Sequence, residues 1–357
     1  MIHFICHYAL DSDFRPTLRR MGVRHKIFLK EIKMNYRYRL MLAMNRMPKL
    51  FLFAMVHSFR SCVLSRPAPD FAIISSDMEA VAYILIKHLF FRSKTKIVFN
   101  SFIFTKSHGG FIDRGKYIFF CLIFKFIDLA IVHSRLEQER YSHLFNGGKA
   151  VFRFVPWGTT IDALPRLRVN AKSSAANNRN PIVVAAGRSK RDYATLFKAM
   201  ETVDAELRVI CDHKDAIPPL NIGKHTAILS NCHGDDYLQE LSDATVVVIP
   251  LAEGDISAGQ MVLIHAMGLG KAVIVTATPG IQDYVSDRSD AWLVPMGDDS
   301  AMRQAIEGLL VNDGERERMG RNAKDTYAQR FDTGHYLERI VDVLEEFQNT
   351  EIRRAFE

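Results

Sequence analysis

Two short segments of this 357-residue chain gather the side chains that chemistry on a charged small molecule needs. The first is VVAAGRSKRDYATLFKA at 183–199. Gly187 permits a tight turn, Arg188, Lys190 and Arg191 follow at once, and a helix is expected to start near Asp192. Three cations where a strand gives way to a helix N-terminus suit a diphosphate, because guanidinium, ammonium and unpaired N–H groups all answer anionic oxygen. Taken alone, the same residues also describe a solvated basic turn. The second segment is LAEGDISAGQMVLIHAMGLGKAVIVT at 251–276. Glu253, Gly254 and Asp255 make a polar loop, and Ser257, Ala258, Gly259 and Gln260 are expected to open a helix whose exposed N–H groups again suit an anion. Met261, Ile264, Ala266 and Met267 supply its core face. His265 stands eight positions after Ser257, so the spacing predicts about two helical turns between them and one shared face. A lone helical histidine is usually structural; the spacing singles this one out.

Three weaker signals remain. His108 beside Gly109 and Gly110, in NSFIFTKSHGGFIDR at 100–114, is a candidate catalytic group, and equally a solvated loop histidine. Asp11-Ser12-Asp13 imitates a metal-binding D-x-D but reads better as a hydrated loop. Gly268-Leu269-Gly270 follows a helical stretch and lacks the third glycine of a dinucleotide fingerprint.

The elements that must position these residues alternate. Short runs rich in Ile, Val and Phe predict strands at 2–8, 26–29, 71–75, 96–99, 130–133 and 150–154, with helices near 36–65, 78–91, 114–126 and 134–145. Pro48 is expected to split the first helix. LPRLRVNAKSSAANNRNP at 164–181 is polar and aperiodic, which predicts a linker. Strands resume at 182–186, 206–211, 226–229, 245–250, 272–276 and 291–294, with helices near 192–203, 235–242, 258–268, 300–311, 314–330 and 334–347. The expected fold is α/β: two Rossmann-like, doubly wound domains at 1–163 and 182–330, with 331–357 a C-terminal helix returning toward the first. Such sheets bind ligands beyond the carboxyl ends of their strands, so the cleft between the domains is where chemistry is expected.

Bulk properties narrow the class. A 48% hydrophobic, 24% charged chain is globular. Five scattered cysteines without a C-x-x-C suit free thiols in a reducing cytoplasm. The N-terminus lacks the basic region of a signal peptide and reads as a first buried strand. Charge is split: residues 1–155 hold 25 Lys and Arg against 10 Asp and Glu, and residues 156–357 hold 22 against 30, within a net +7. A basic half points to an anionic surface or substrate. No recognised nucleic-acid module accompanies it, so nucleic acid is not the expected partner. The run YIFFCLIFKFIDLAIV at 117–132 is too short for a span and carries Lys125 and Asp128, so a buried helix and a strand are expected there. In 35–66, Arg37, Arg39, Arg46, Lys49, Arg60 and Arg66 are interspersed with Leu, Met and Phe, which suits a helix lying on an anionic membrane surface, or one packing its stripe on the sheet.

The order strand, G-R with basic residues, helix, then DATVVVIP and a small-residue helix ending in AMGLGKAVIVT resembles the retaining family-4 glycosyltransferases of the GT-B fold. TPGIQDYV, WLVPMGDDSAMRQAIEGLL and RMGRNAKDTYAQRF continue the resemblance, which covers roughly 128–347. It implies a nucleoside-diphosphate sugar as donor, no metal and no other cofactor, and transfer with retention to a glycan or lipid-linked acceptor, in the cytoplasm or at the inner face of the plasma membrane. It also implies roles. Arg188 and Lys190 grip the diphosphate, with Gly187 and Arg191 beside them, and the family's paired glutamates fall on Ser257 and His265. Both positions depart from the pattern. A neutral imidazole offers one acceptor and one donor where a carboxylate accepts twice. Glu253, Gly259 and Gln260 complete the expected donor site, and His108 faces the acceptor. Two other readings stay open: a non-catalytic GT-B partner subunit, and another GT-B enzyme such as a sugar-nucleotide epimerase.

Overall fold

Short β-branched runs that are buried along their whole length, such as FAII, LAIV, VVVI and VIVT, belong in parallel sheets covered on both faces. The computed structural model describes residues 1–6, 14–22, 25–29, 39–90, 94–105, 110–161, 180–211, 217, 225–252, 254 and 256–356. Two compact units result, Met1–Val155 with Leu337–Glu357, and Pro156–Tyr336. Residues 156–161, read from sequence as the end of the first domain, group with the second. Most of the expected linker lies outside the described residues.

The first unit holds a six-stranded parallel sheet ordered β2-β1-β3-β4-β5-β6. Its strands are β1 (Ile2–Cys6), β2 (His25–Leu29), β3 (Phe71–Ile74), β4 (Lys96–Phe99), β5 (Leu129–Val132) and β6 (Val151–Phe154). Helices α1 (Phe14–Arg20), α2 (Arg39–Phe59), α3 (Asp77–Leu85), α4 (Gly110–Ile123) and α5 (Arg135–Leu144) connect them. Ser76 and Ser134 cap α3 and α5 by accepting from the backbone N–H of Glu79 and Glu137. Two expectations fail here. Helix α2 runs unbroken through Pro48, its packing against α3 offsetting the hydrogen bond that proline cannot donate, and it ends in a π-helical turn at Arg60–Leu64. Helix α4 is not buried: only its inner side, with Phe120 and Ile123, reaches the core.

The second unit repeats the plan with order β12-β11-β10-β7-β8-β9. The strands are β7 (Ile182–Ala186), β8 (Glu206–Ile210), β9 (Thr226–Leu229), β10 (Val246–Ile249), β11 (Val273–Thr276) and β12 (Trp292–Val294). They alternate with α6 (Tyr193–Met200), α7 (Asp235–Asp243), α8 (Gln260–Gly268), α9 (Pro279–Gln282), α10 (Asp299–Val311) and α11 (Asp313–Arg330). Helix α12 (Thr333–Phe356) closes the chain and from Leu337 onward belongs to the first unit. Strand order reverses between β7 and β10, and between β1 and β3; at such switch points the loops diverge and leave a crevice.

Helix α8 is held against α11 at backbone distance. A Cβ on Gly320 would lie 2.2 Å from the Gly270 carbonyl oxygen, and backbone cannot move aside as a side-chain tip can. Gly320→Ala is therefore expected to destabilise the second unit by about 3 kcal/mol, as overpacking does. Gly314→Ala on the same helix meets nothing closer than 3.6 Å and should be neutral or slightly stabilising, and urea titration of the two variants checks both.

Candidate functional site

The second unit's switch point is built from the turn after β7 and the loop after β10. Gly187 opens the turn at φ +108°, where a Cβ would lie 2.3 Å from the Arg191 guanidinium, so this position requires glycine. Arg191 folds back beneath the turn. Its Nε donates to the Ala186 carbonyl at 2.8 Å and its Nη1 to Ser189 O at 2.8 Å, while the Tyr193 hydroxyl donates to Gly187 O. Burial pushes the Arg191 pKa down from its usual value. Asp192 N donates to Pro250 O at 3.1 Å and Ala252 N to Lys190 O at 3.0 Å, which fastens the turn to the chain leaving β10.

A braced turn of this kind presents what stands on its crest. Arg188 and Lys190 are exposed there, Lys190 at φ +55° with its aliphatic stem beside Gly254. The structure thus brings together Gly187, Arg188, Lys190 and the loop after β10, and gives Arg191 the work of a brace. Glu253 and Asp255 lie outside the described residues.

Helix α8 begins later than its sequence suggests. Gly259 is its N-cap in a left-handed conformation, φ +91°, packed so closely on Ile249 and Leu251 that a Cβ would come within 3.2 Å of both. Ser257 and Ala258 precede the helix, so the two-turn spacing from Ser257 to His265 does not operate. Gln260 is buried and donates from Nε2 to Gly280 O at 3.3 Å, tying α8 to the first turn of α9. Ser257 lies beside the same glycine: a Cβ added to Gly280 would sit 3.5 Å from the Ser257 Oγ. Residues 278–280 therefore wall the site, and the TPG sequence after a predicted strand was the available signal for them.

His265 sits on the flank of α8 facing α7. Its Nδ1 is 3.3 Å from the Tyr237 hydroxyl, and the two rings meet edge to face at 5.6 Å. Burial lowers the His265 pKa to about 4 and raises that of Tyr237, so both are neutral at pH 7. The pair offers a donor and an acceptor without charge. Nothing in HGDDYLQELSD marks Tyr237 as a partner, because it sits on a different helix.

His108 lies outside the described residues, as does Asp11-Ser12-Asp13. A different histidine stands at the carboxyl edge of the first unit's sheet. His133 follows β5, with Nδ1 2.8 Å from Val155 O and Nε2 2.8 Å from Ser101 Oγ. A carbonyl only accepts, so Nδ1 carries the proton and the neutral ring accepts from the serine hydroxyl at Nε2. Ser101 holds φ +60°, and burial lowers the His133 pKa to about 4. Among the described residues no group of three His, Cys, Asp or Glu side chains is placed to hold a metal ion, and no helix is long and apolar enough to cross a membrane.

Two parallel α/β units, with a cationic turn at the switch point of the second, invite comparison with known proteins. Residues 168–326 match the family model of glycosyl transferases group 1. The matched stretch lies wholly within the second unit. Sucrose-phosphate synthase from Thermosynechococcus elongatus superposes with a TM-score of 0.66 at 18% identity, over 98% of this chain and 99% of that one. HepE of Anabaena in complex with UDP-glucose gives 0.63 at 15%, over 97% and 99%. Trehalose 6-phosphate synthase from Burkholderia multivorans gives 0.63 at 12%, over 98% and 99%. At these identities the likeness establishes the GT-B fold. No curated protein matches the chain by sequence.

Proposed function

We propose that this chain transfers a sugar from a nucleoside diphosphate to a glycan or lipid-linked acceptor, as a retaining enzyme of the family-4 type. The observation that carries the reading is the braced turn at 187–191, which presents Arg188 and Lys190 at the point of the sheet where ligands bind. The Anabaena relative in complex with UDP-glucose supports a nucleotide sugar as donor. In the transfer, the bond from the anomeric carbon to the diphosphate oxygen breaks, the acceptor oxygen bonds to that carbon from the same face, and the acceptor proton passes to the departing diphosphate. Arg188, Lys190 and the N–H groups at the start of α8 meet the charge that develops on the diphosphate, the effect on which such a transfer depends most. On this reading no metal takes part. His265 and Tyr237 face the ribose in place of a carboxylate, and Ser101 with His133 borders the acceptor.

One observation favours a second reading. The carboxylates expected at Ser257 and His265 are absent, and His265 is packed on Tyr237, as in a GT-B subunit that has kept the fold and lost the reaction. A panel of nucleoside diphosphates in a thermal-shift assay, followed by donor turnover, separates the two. A ligand at a hundred times its Kd stabilises the folded state by about 2.7 kcal/mol, a clear rise in melting temperature. Binding with turnover supports the enzyme, binding without turnover the partner subunit, and silence across the whole panel defeats both.

A further inference from the structure

Helix α4 is apolar on both sides. Its inner side sets Phe120 and Ile123 in the first unit's core, with Phe124 just past its end. Its outer side shows Phe111, 89% exposed, with Ile112, Ile118, Phe119 and Leu122, and Phe126 beyond its end is exposed as well. Positions 111, 115, 118, 119, 122 and 126 recur at helical spacing, so they form one outward stripe. Exposed Arg114 and Lys125 border it.

The second half of α2 repeats the arrangement. Phe53 and Ala54 turn inward, whereas Leu52, 63% exposed, Val56 and Phe59 turn outward, as does Leu64 of the π-helical turn. Lys49, Arg60 and Arg66 flank them, all exposed. Both helices cover the same face of the sheet. Cys62 after α2, Tyr83 of α3 and Phe124 after α4 share one cluster with Ile5, Ile74 and Val132. Helix α2 packs on α3, and His88, beyond α3, meets the Phe126 ring at 4.9 Å. The two stripes therefore open in one direction from one helical layer. A surface helix ordinarily turns polar groups to water, and apolar exposure on this scale marks a contact surface.

We propose that this layer docks the first unit on an anionic lipid bilayer, α4 setting Phe111, Ile118 and Leu122 below the headgroups while Lys49, Arg60, Arg114 and Lys125 meet lipid phosphates. The pairing of apolar stripe and flanking cation selects the partner, since a bilayer offers anionic oxygen above hydrocarbon. A second copy of the same face would set these cations against one another. The helices lie in the interface and do not cross it. The purpose of docking rests on the glycosyltransferase reading, with a lipid-linked acceptor met at an anionic cytoplasmic leaflet; the docking itself does not.

The full-length protein is tested by flotation with phosphatidylcholine vesicles, with and without phosphatidylglycerol, at low and high salt. It should float with the anionic vesicles, more strongly at low salt. The triple variant Phe111→Ser, Ile118→Ser, Leu122→Ser, with wild-type circular dichroism, should bind them at least tenfold more weakly. Acyl-chain-brominated lipid should quench the indole introduced by Phe111→Trp, the two native tryptophans, Trp157 and Trp292, lying in the second unit. Absence of flotation, flotation untouched by the serine substitutions, or an unquenched indole overturns the proposal. So does a dimer that the serine variant abolishes while the wild type fails to float. Nucleoside-diphosphate binding without vesicles keeps the two readings apart. Binding without flotation defeats docking alone, and flotation without binding defeats the donor site alone.

Discussion

The double variant Arg188→Ala, Lys190→Ala should lose about a thousandfold or more in kcat/KM for a nucleotide sugar while melting close to the wild type. Each preorganised donor aimed at a developing oxyanion is worth on the order of a hundredfold to a thousandfold, and two side chains are removed together. Stability is spared because both are exposed on a crest braced from below. The contrast is Arg191→Ala, which strips the donors from Ala186 O and Ser189 O and opens a gap beneath Gly187. That variant should lose about 2 kcal/mol of stability, since the carbonyl of buried Ala186 is left without this donor and carries a desolvation cost, whereas exposed Ser189 O can turn to water. A turnover assay beside a melting curve thus separates the gripping cations from the bracing one. Wild-type kinetics in the double variant would remove the diphosphate from this turn.

How much of this was legible in the sequence depends on whether the cause was local. Strands such as IVVAA at 182–186 and VIVT at 273–276 stand where their β-branched runs place them, because buried parallel strands announce themselves by composition. Gly187 and the basic cluster after it were legible for the same reason: a turn glycine and a helix start lie within a few residues. The division of labour among the three cations was not. Only the approach of the β10 loop, which pins Lys190 and Asp192, sends Arg191 inward and its neighbours outward. Ser257 and His265 fell on one expected face through helical counting, and Gly259 breaks that count by capping α8 in a left-handed conformation on Ile249 and Leu251. The Tyr237 contact and the Ser101–His133 pair join separate crossovers, so no sequence window contains them. The character of α4 was half legible. Its apolar content pointed to burial, yet a helix layered on one face of a sheet has two sides and the sheet covers one.

The two site histidines give the stability of this protein a pH dependence of definite sign. Burial lowers the pKa of both His133 and His265 to about 4, against about 6.5 for an unfolded chain. Above pH 6.5 both states hold the rings neutral and neither residue contributes a slope. Between 6.5 and 4 the unfolded state binds the extra proton, so stability falls as pH falls, and the loss is complete below pH 4. Each ring should remove about 2 kcal/mol by pH 5, before most carboxylates protonate, and about 3 kcal/mol in full. The units report separately. Both tryptophans, Trp157 and Trp292, belong to the second, as does His265, whereas His133 belongs to the first. Urea unfolding followed by tryptophan fluorescence at pH 7.5 and pH 5 should show the loss in the wild type and in His133→Gln. In His265→Gln, which keeps a polar group near the Tyr237 hydroxyl but cannot titrate there, the loss should be largely gone. A fluorescence-detected transition equally sensitive to pH in His265→Gln would mean that the ring ionises freely, and so faces water rather than the tyrosine. If the loss does vanish, the imidazole is neutral near pH 7, and whatever it offers a ligand is a hydrogen bond without charge.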